Sequence, residues 1–183
     1  MIKNWVFENE SGYLCSFFPK HEMPLVSILM PVRDDLRTLP DCLESIQKQS
    51  LKDWELVVVD DGSSDGSGEF LLETAAKDSR IRVLRERPRG IVAALNSGLA
   101  ACAGAYVARM DADDRMRPER LEMQFAFLQR ETQVDFCGSR VEPFTEEGPV
   151  SENIQRYHDW SNSLLTDEAV SYTHLTLPTN ACV

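Results

Sequence analysis

The chain is poor in positive charge. Of its 183 residues, 19 are Lys or Arg and 30 are Asp or Glu, a formal net charge of −11 at pH 7. A nucleic-acid binder needs a basic face to displace counterions from phosphates, so that class is excluded. Passive attachment to an anionic membrane is disfavoured too, which leaves a local basic patch as the route to peripheral association. Long apolar runs are also missing: the longest are strand-sized, too short for a transmembrane helix. The start, MIKNWVFENES, has a single Lys and no apolar stretch of the kind a secretory signal needs. No cysteine pair has CxxC spacing. Cys15, Cys42, Cys102, Cys137 and Cys182 are odd in number and scattered, which argues against a zinc site or a disulfide framework and fits a reduced, cytosolic compartment. His21, His158 and His174 have no partners at ligand spacing. There is no internal repeat and no low-complexity linker.

What remains is an ordinary globular composition, 43% apolar and 27% charged, in a length that suits one domain with a sizeable core. Residues 1–24 carry aromatics (Trp5, Phe7, Tyr13, Phe17, Phe18) without a period and read as an N-terminal extension. From Leu25 the pattern sharpens. Leu25–Met30 reads as a buried strand stopped by Pro31, and Leu39, Cys42, Leu43 and Ile46 mark one face of a helix with Pro40 in its first turn. The unbroken run Leu56–Val59 is a strand buried on both faces, and a helix follows over about 66–77, with Phe70, Leu71, Thr74 and Ala75 inward. Ile81–Leu84 is a third strand. Ile91, Ala94, Leu95, Gly98, Leu99 and Cys102 form a helical stripe closed by Gly104. Ala105–Met110 is a fourth strand, Pro118 opens a helix with Leu121, Phe125 and Leu128 inside, and Val134–Cys137 is a fifth strand. Strands alternating with helices of this length predict an α/β fold, a mostly parallel sheet with helices on both faces. Right-handed crossovers then bring Pro31–Asp34, Asp60–Asp65 and Asp111–Asp114 to one rim.

That rim is acidic. Asp60 and Asp61 end an apolar strand, where desolvating two carboxylates is costly unless something binds them; a carboxylate there can accept a uracil N3–H or a ribose hydroxyl. The alternative is a plain turn, for which Asp-Gly and Ser-Ser steps are common formers. Asp111-Ala112-Asp113 places two carboxylates on one side of an extended backbone. Oxygen ligands of this kind suit a hard divalent cation, Mg²⁺ or Mn²⁺, which would let an anionic diphosphate approach. The alternative is helix capping by Asp. Arg85, Arg87 and Arg89 read as loop charges, one of which could reach a phosphate.

The stretches VSILMPVRD, ELVVVDDGSSDGS and RGIVAALNSGLAACAGAYVARMDADDRMRPERLEMQ together resemble the family 2 glycosyltransferases of GT-A fold, from about Leu25 to Val141 and in continuous order. The resemblance implies a nucleotide-sugar donor, usually a UDP-sugar, a divalent cation at the DxD motif, and inversion at the anomeric carbon. It implies that Pro31, Val32 and Arg33 line the base and ribose pocket and that Asp61, with Asp60 beside it, meets the uracil. Asp111 would approach the ribose or sugar, Ala112 would sit in the same donor segment, and Asp113 would hold the metal. Arg89, Gly90 and Asn96 match the stretch that packs close to the donor. Arg33 and Asp34 stand where many members have an aromatic and Asn. The family's usual acceptor is a saccharide or lipid-linked saccharide of a bacterial surface polysaccharide or lipopolysaccharide core, met at the cytoplasmic face of a membrane.

An inverting transfer needs a general base, which in this family lies beyond the DxD segment. Glu146, Glu147, Glu152, Asp159, Asp167 and Glu168 fall there without a pattern that assigns one, so residues 142–169 read as the start of an acceptor half. Within it ENIQRYHDWSNSLLTDEA reads as one helix and the start of another. Val170–Thr179, VSYTHLTLPT, resembles the translated end of a sequencing adapter, so residues 170–183 are expected to be an artefactual tail and the gene to be cut inside its acceptor half; a genuine tail is the alternative. The expected fragment binds donor and transfers little. A HAD-type phosphatase is excluded because its nucleophile would fall at Val59. A nucleotidyltransferase would need Gly and Lys in the first loop, and 31–38 has neither. A non-catalytic nucleotide-sugar-binding module is the non-enzymatic alternative.

Overall fold

The computed structural model describes residues 2–3, 23–145 and 148–163. The chain divides into two units, Met1–Cys137 and Gly138–Val183. The first is built on a five-stranded sheet. Its strands are β1 (Ile2–Lys3), β2 (Val26–Val32), β3 (Trp54–Asp60), β4 (Ile81–Arg85) and β5 (Tyr106–Arg109), in the order β1-β5-β2-β3-β4. β2 to β5 run parallel and β1 pairs antiparallel with β5. The helices are α1 (Leu39–Gln47), α2 (Ser67–Ala75), α3 (Ile91–Ala101) and α4 (Arg120–Arg130).

Side chains alternate across each strand, and the sequence fills both faces. On one face Ile28, Met30, Leu56 and Val58 pack with α1 (Leu39, Cys42, Leu43, Ile46), α2 (Leu71) and α4 (Leu121, Leu128). On the other, Leu29, Val59 and Val107 pack with Ala94 of α3. Helix α3 comes close because Gly98 has no side chain: a Cβ there would overlap Leu29 and lie 2.8 Å from Val59 Cγ2. The order β4-β3-β2-β5 reverses direction after β4. The connection through α3 crosses back over the opposite face, leaving a switch point between β2 and β5 where parallel sheets bind ligands.

Several expectations are corrected. Pro31 does not end its strand. β2 runs on to Val32, paired with Asp60 of β3. The nitrogen of Pro31 falls on the β5 side, where pairing has already ended at Leu29, so its missing N–H removes no ladder bond. Val134–Cys137 is not a strand; the edge beside β5 is already taken by β1, and Val134 and Cys137 instead pack as partly buried residues on the core. Gly104 does not close α3, which ends at Ala101; Gly104 lies against β2, where a Cβ would sit 2.5 Å from the Ser27 nitrogen. Ile91, at the start of α3, is exposed rather than inward. Pro118 stands two residues before α4. The aromatic stretch of the N-terminal extension and residues 164–183, with the second helix start and the adapter-like tail, lie outside the described residues.

In the second unit, α5 (Glu152–Asn162) is capped by Ser151 Oγ, which accepts from the Ile154 N–H. Asn162 pairs with both backbone groups of Val141, at 2.9 and 2.7 Å. No residue of α5 is buried.

Candidate functional site

Asp61 is the first residue after β3 and is only 3% exposed. Its position on the α3 side of the strand aims the carboxylate at the loop before that helix. Oδ1 accepts from the Arg89 N–H at 2.7 Å and Oδ2 from the Gly90 N–H at 2.8 Å. The Arg89 N–H, with burial opposing it and Gly90, Arg33 and the Arg89 charge adding to it, holds the Asp61 carboxyl below its ordinary value. Gly90 adopts a φ of +89° there. Arg33 Nη1 stands 3.7 Å from Asp61 Oδ2.

Asp60 diverges from its neighbour, as successive strand residues must. Fully buried, it accepts from the Ser63 N–H at 2.8 Å and pairs with Arg85 Nε at 3.2 Å. Gly68 of α2 lies so close that a Cβ would be 2.5 Å from Asp60 Oδ2. Asp60 therefore anchors α2 and does not share a pocket with Asp61. Arg85 is committed to Asp60 and Glu69, and Arg89 to Glu86 and Ser97, so neither is a free loop charge.

The loops after β2 and β3 are tied together. Asp34, at φ +55°, donates its N–H to Ser63 Oγ and accepts from the Ser64 N–H at 2.7 Å. Asp65 accepts from the N–H groups of Leu36 and Ser67. Burial pushes the Asp35 carboxyl up, against its bond from the Arg33 N–H, and the charges of Asp113, Asp65 and Asp34 add to that.

Across β2 lies the DxD segment. β5 ends at Arg109, and Asp111–Asp114 form a turn, with the Asp114 N–H on the Asp111 carbonyl at 3.2 Å, rather than the extended backbone expected. Ala112 is nonetheless buried, so Asp111 and Asp113 face outward on either side of it. Arg109 pairs with Asp111 at 3.0 Å. Asp113 has no hydrogen bond or ion pair among the described residues. Burial, then Asp113 and Asp111, push the Asp114 carboxyl up. Beneath the turn is Cys42, its Sγ 3.6 Å from the Asp111 carbonyl; burial and four surrounding aspartates push its thiol up to about 12. No cluster of three metal-ligating side chains forms among the described residues.

One supporting residue escaped sequence reading. Gln49 is fully buried at the end of α1; its Nε2 donates to the Arg117 carbonyl at 2.8 Å and its Oε1 accepts from the Leu121 N–H at 3.1 Å. It fixes the segment between the DxD turn and α4. Gln49 continues the phase of the α1 stripe, three residues after Ile46, and that position was the one signal of its burial. Pro31 and Val32 end β2 between Asp61 and Asp111, while Asn96 is exposed on α3 and bonded to none of the other candidate residues.

The chain is similar to known proteins in sequence and in fold. EpsE of Bacillus subtilis (strain 168), whose own glycosyltransferase assignment is provisional, is 39% identical over 127 residues, 68% of this chain and 46% of that protein. The chondroitin synthase of Escherichia coli is 27% identical over 82% of this chain and 22% of its own length. The chain spans less than half the length of the curated relatives it matches. Among solved structures, S. aureus TarS in complex with UDP superposes with a TM-score of 0.54 at 25% identity, covering 58% of this chain and 32% of that one. The mannosyltransferase PcManGT of Pyrobaculum calidifontis, in complex with GDP-Man and Mn²⁺, gives 0.54 and 25% over 59% and 33%. The fold is GT-A, as the sequence predicted. The family model described as Glycosyl transferase family 2 matches residues 27–181, and the chain belongs to that family.

Proposed function

We propose that the chain binds the donor of an inverting glycosyl transfer, a nucleotide-sugar (a UDP-sugar in the simplest case), for delivery to a saccharide or lipid-linked saccharide hydroxyl. The observation that carries this reading is the β2/β5 switch point, flanked on one side by ionised Asp61 and on the other by Asp113, which has no hydrogen bond or ion pair among the described residues. Two backbone donors leave Asp61 with acceptor capacity for a base N–H. Pro31 and Val32 end β2 between Asp61 and Asp111, Arg89 and Gly90 supply the backbone donors that Asp61 holds, and Asn96 is exposed on the helix that follows. Asp111, neutralised by Arg109, lies toward the ribose or sugar.

The residues fit a divalent cation. Asp113 and Asp111 would hold it through carboxylate oxygens, the ligand type that Mg²⁺ and Mn²⁺ favour. When bound, such an ion supplies Lewis-acid stabilisation of the departing diphosphate. The solved relatives bound to UDP, UDP-GlcNAc and GDP-Man with Mn²⁺ support this reading, and the polysaccharide named in chondroitin synthase supports a saccharide acceptor. No helix among the described residues is long and apolar enough to cross a membrane; action at its cytoplasmic face is the reading we favour. Every residue assigned here acts on the donor and none as the base, which fits the reading that the chain binds donor and transfers little.

Calorimetric titration with UDP tests this. Binding is expected with Mn²⁺ and its loss with EDTA. No binding, or binding indifferent to metal, would sink the site.

A further inference from the structure

Two guanidiniums stand at the DxD turn, and they are committed differently. Arg120 is turned to the segment before the turn: its Nη2 donates to the Arg109 carbonyl at 3.0 Å and its Nη1 meets Met110 Sδ at 3.3 Å. Arg109 is turned to a carboxylate. Its Nη2 donates to Asp111 Oδ1 at 3.0 Å and to Oδ2 at 3.4 Å, and its Nε to Oδ1 at 3.2 Å. One fork thus engages both oxygens of a side chain that the donor-site reading gives to the cation. The two side chains are 56% and 44% exposed, so the pair can open without unpacking the core. Arg109 also follows Val107 on the α3 face of the sheet, the side on which Asp61 lies.

We propose that Arg109 is an exchangeable counter-ion of the donor site: it competes with the divalent cation for Asp111 and, once displaced, pairs with the diphosphate, so that cation and nucleotide bind cooperatively. This rests on the donor-site reading above. A guanidinium and a divalent cation on one carboxylate repel each other, so Arg109 weakens cation binding while no further anion is present. A diphosphate brings that anion. The Arg109 side chain, planar and always charged, can then leave the carboxylate for phosphate oxygens, which its fork matches equally well. Arg109 therefore opposes the cation alone and supports the cation with the donor, which couples two ligands through one side chain. Arg120 cannot take this part: its Nη groups are given to Arg109 and Met110, and its Nε is buried.

The experiment compares the wild type with Arg109→Met and Arg109→Lys. Mn²⁺ affinity without nucleotide is read from the electron paramagnetic resonance signal of the free ion, and UDP affinity from calorimetry at saturating Mn²⁺. R109M keeps the stem of the side chain and removes its charge. It is expected to bind Mn²⁺ alone about two- to fivefold more tightly than the wild type, the range an exposed ion pair supports. It should bind UDP with Mn²⁺ about threefold or more weakly. R109K, charged but without the fork, should stay near the wild type for Mn²⁺ and recover part of the UDP affinity. An Arg109 that merely holds Asp111 in place would lower both affinities together, and an idle surface pair would move neither. Either result overturns the proposal, as does a change in only one of the two; Mn²⁺-dependent UDP binding by the wild type would in those cases leave the donor site standing. Its absence from the wild type overturns both. Unchanged thermal unfolding of R109M checks that the fold is intact.

Discussion

Asp61 ties the site to the fold with a single side chain: one carboxylate orders two successive backbone N–H groups at the entry to α3. Charge-assisted bonds of this kind contribute about 1.5–3 kcal/mol each. Asp61→Asn keeps the shape but points an amide N–H at one of those donors. It should cost about 1–3 kcal/mol in urea denaturation at pH 7 and remove UDP binding. Because the folded-state carboxyl lies below its ordinary value of 3.8, its contribution is present above that value and is lost as pH falls through the folded one. The stability gap between wild type and D61N should therefore narrow on going from pH 7 to pH 3. Cys42 gives a second test at this scale. Buried, and with its thiol pushed up to about 12, it should resist alkylation at pH 8 in the native protein and react in denaturant, as peptide mapping would show.

The elements are joined to the site by buried polar groups rather than by apolar packing alone. Glu55, on β3, accepts from Ser27 Oγ and the Ala103 N–H, both at 2.6 Å, which secures the end of α3 at the opposite edge of the sheet. Gln49 does the same for α1 and the segment that follows the DxD turn. Gln49→Leu preserves volume but leaves the Leu121 N–H and the Arg117 carbonyl without their partner in a water-poor setting. An expected loss of about 1–3 kcal/mol follows for each group left unpaired, read from the denaturation midpoint. A loss under about 0.5 kcal/mol would show that this segment is held by other contacts.

For the whole molecule, charge sets the terms of binding. A chain at −11 with an acidic rim repels a bare diphosphate. UDP should therefore raise the unfolding temperature only when a divalent cation is present, since a ligand stabilises in proportion to its binding of the native state. Asp113→Asn should remove most of that metal-dependent rise while leaving the ligand-free melting temperature within about a degree or two, because Asp113 is exposed and holds nothing in place. A metal-dependent rise that survived D113N would move the cation elsewhere.

Much of this was written in local pattern. The run Leu56–Val59, the stripe Leu39–Cys42–Leu43–Ile46 and the alternation of strand with helix determine a parallel sheet. A parallel sheet with right-handed crossovers can put its acidic strand ends only on one rim. Other features depended on partners far away in sequence. Pro31 could stay in its strand because β5 had already ended beside it. Val134–Cys137 could not become a strand because β1 held the edge. Asp60 and Asp61, identical and adjacent, took opposite tasks because the pleat turned one toward Gly68 and Arg85 and the other toward Arg89 and Gly90. Composition and period fix which face of an element is apolar. Which neighbour each buried polar group meets is decided only when the strands are ordered and the loops closed, because such a bond joins residues the chain itself keeps tens of positions apart.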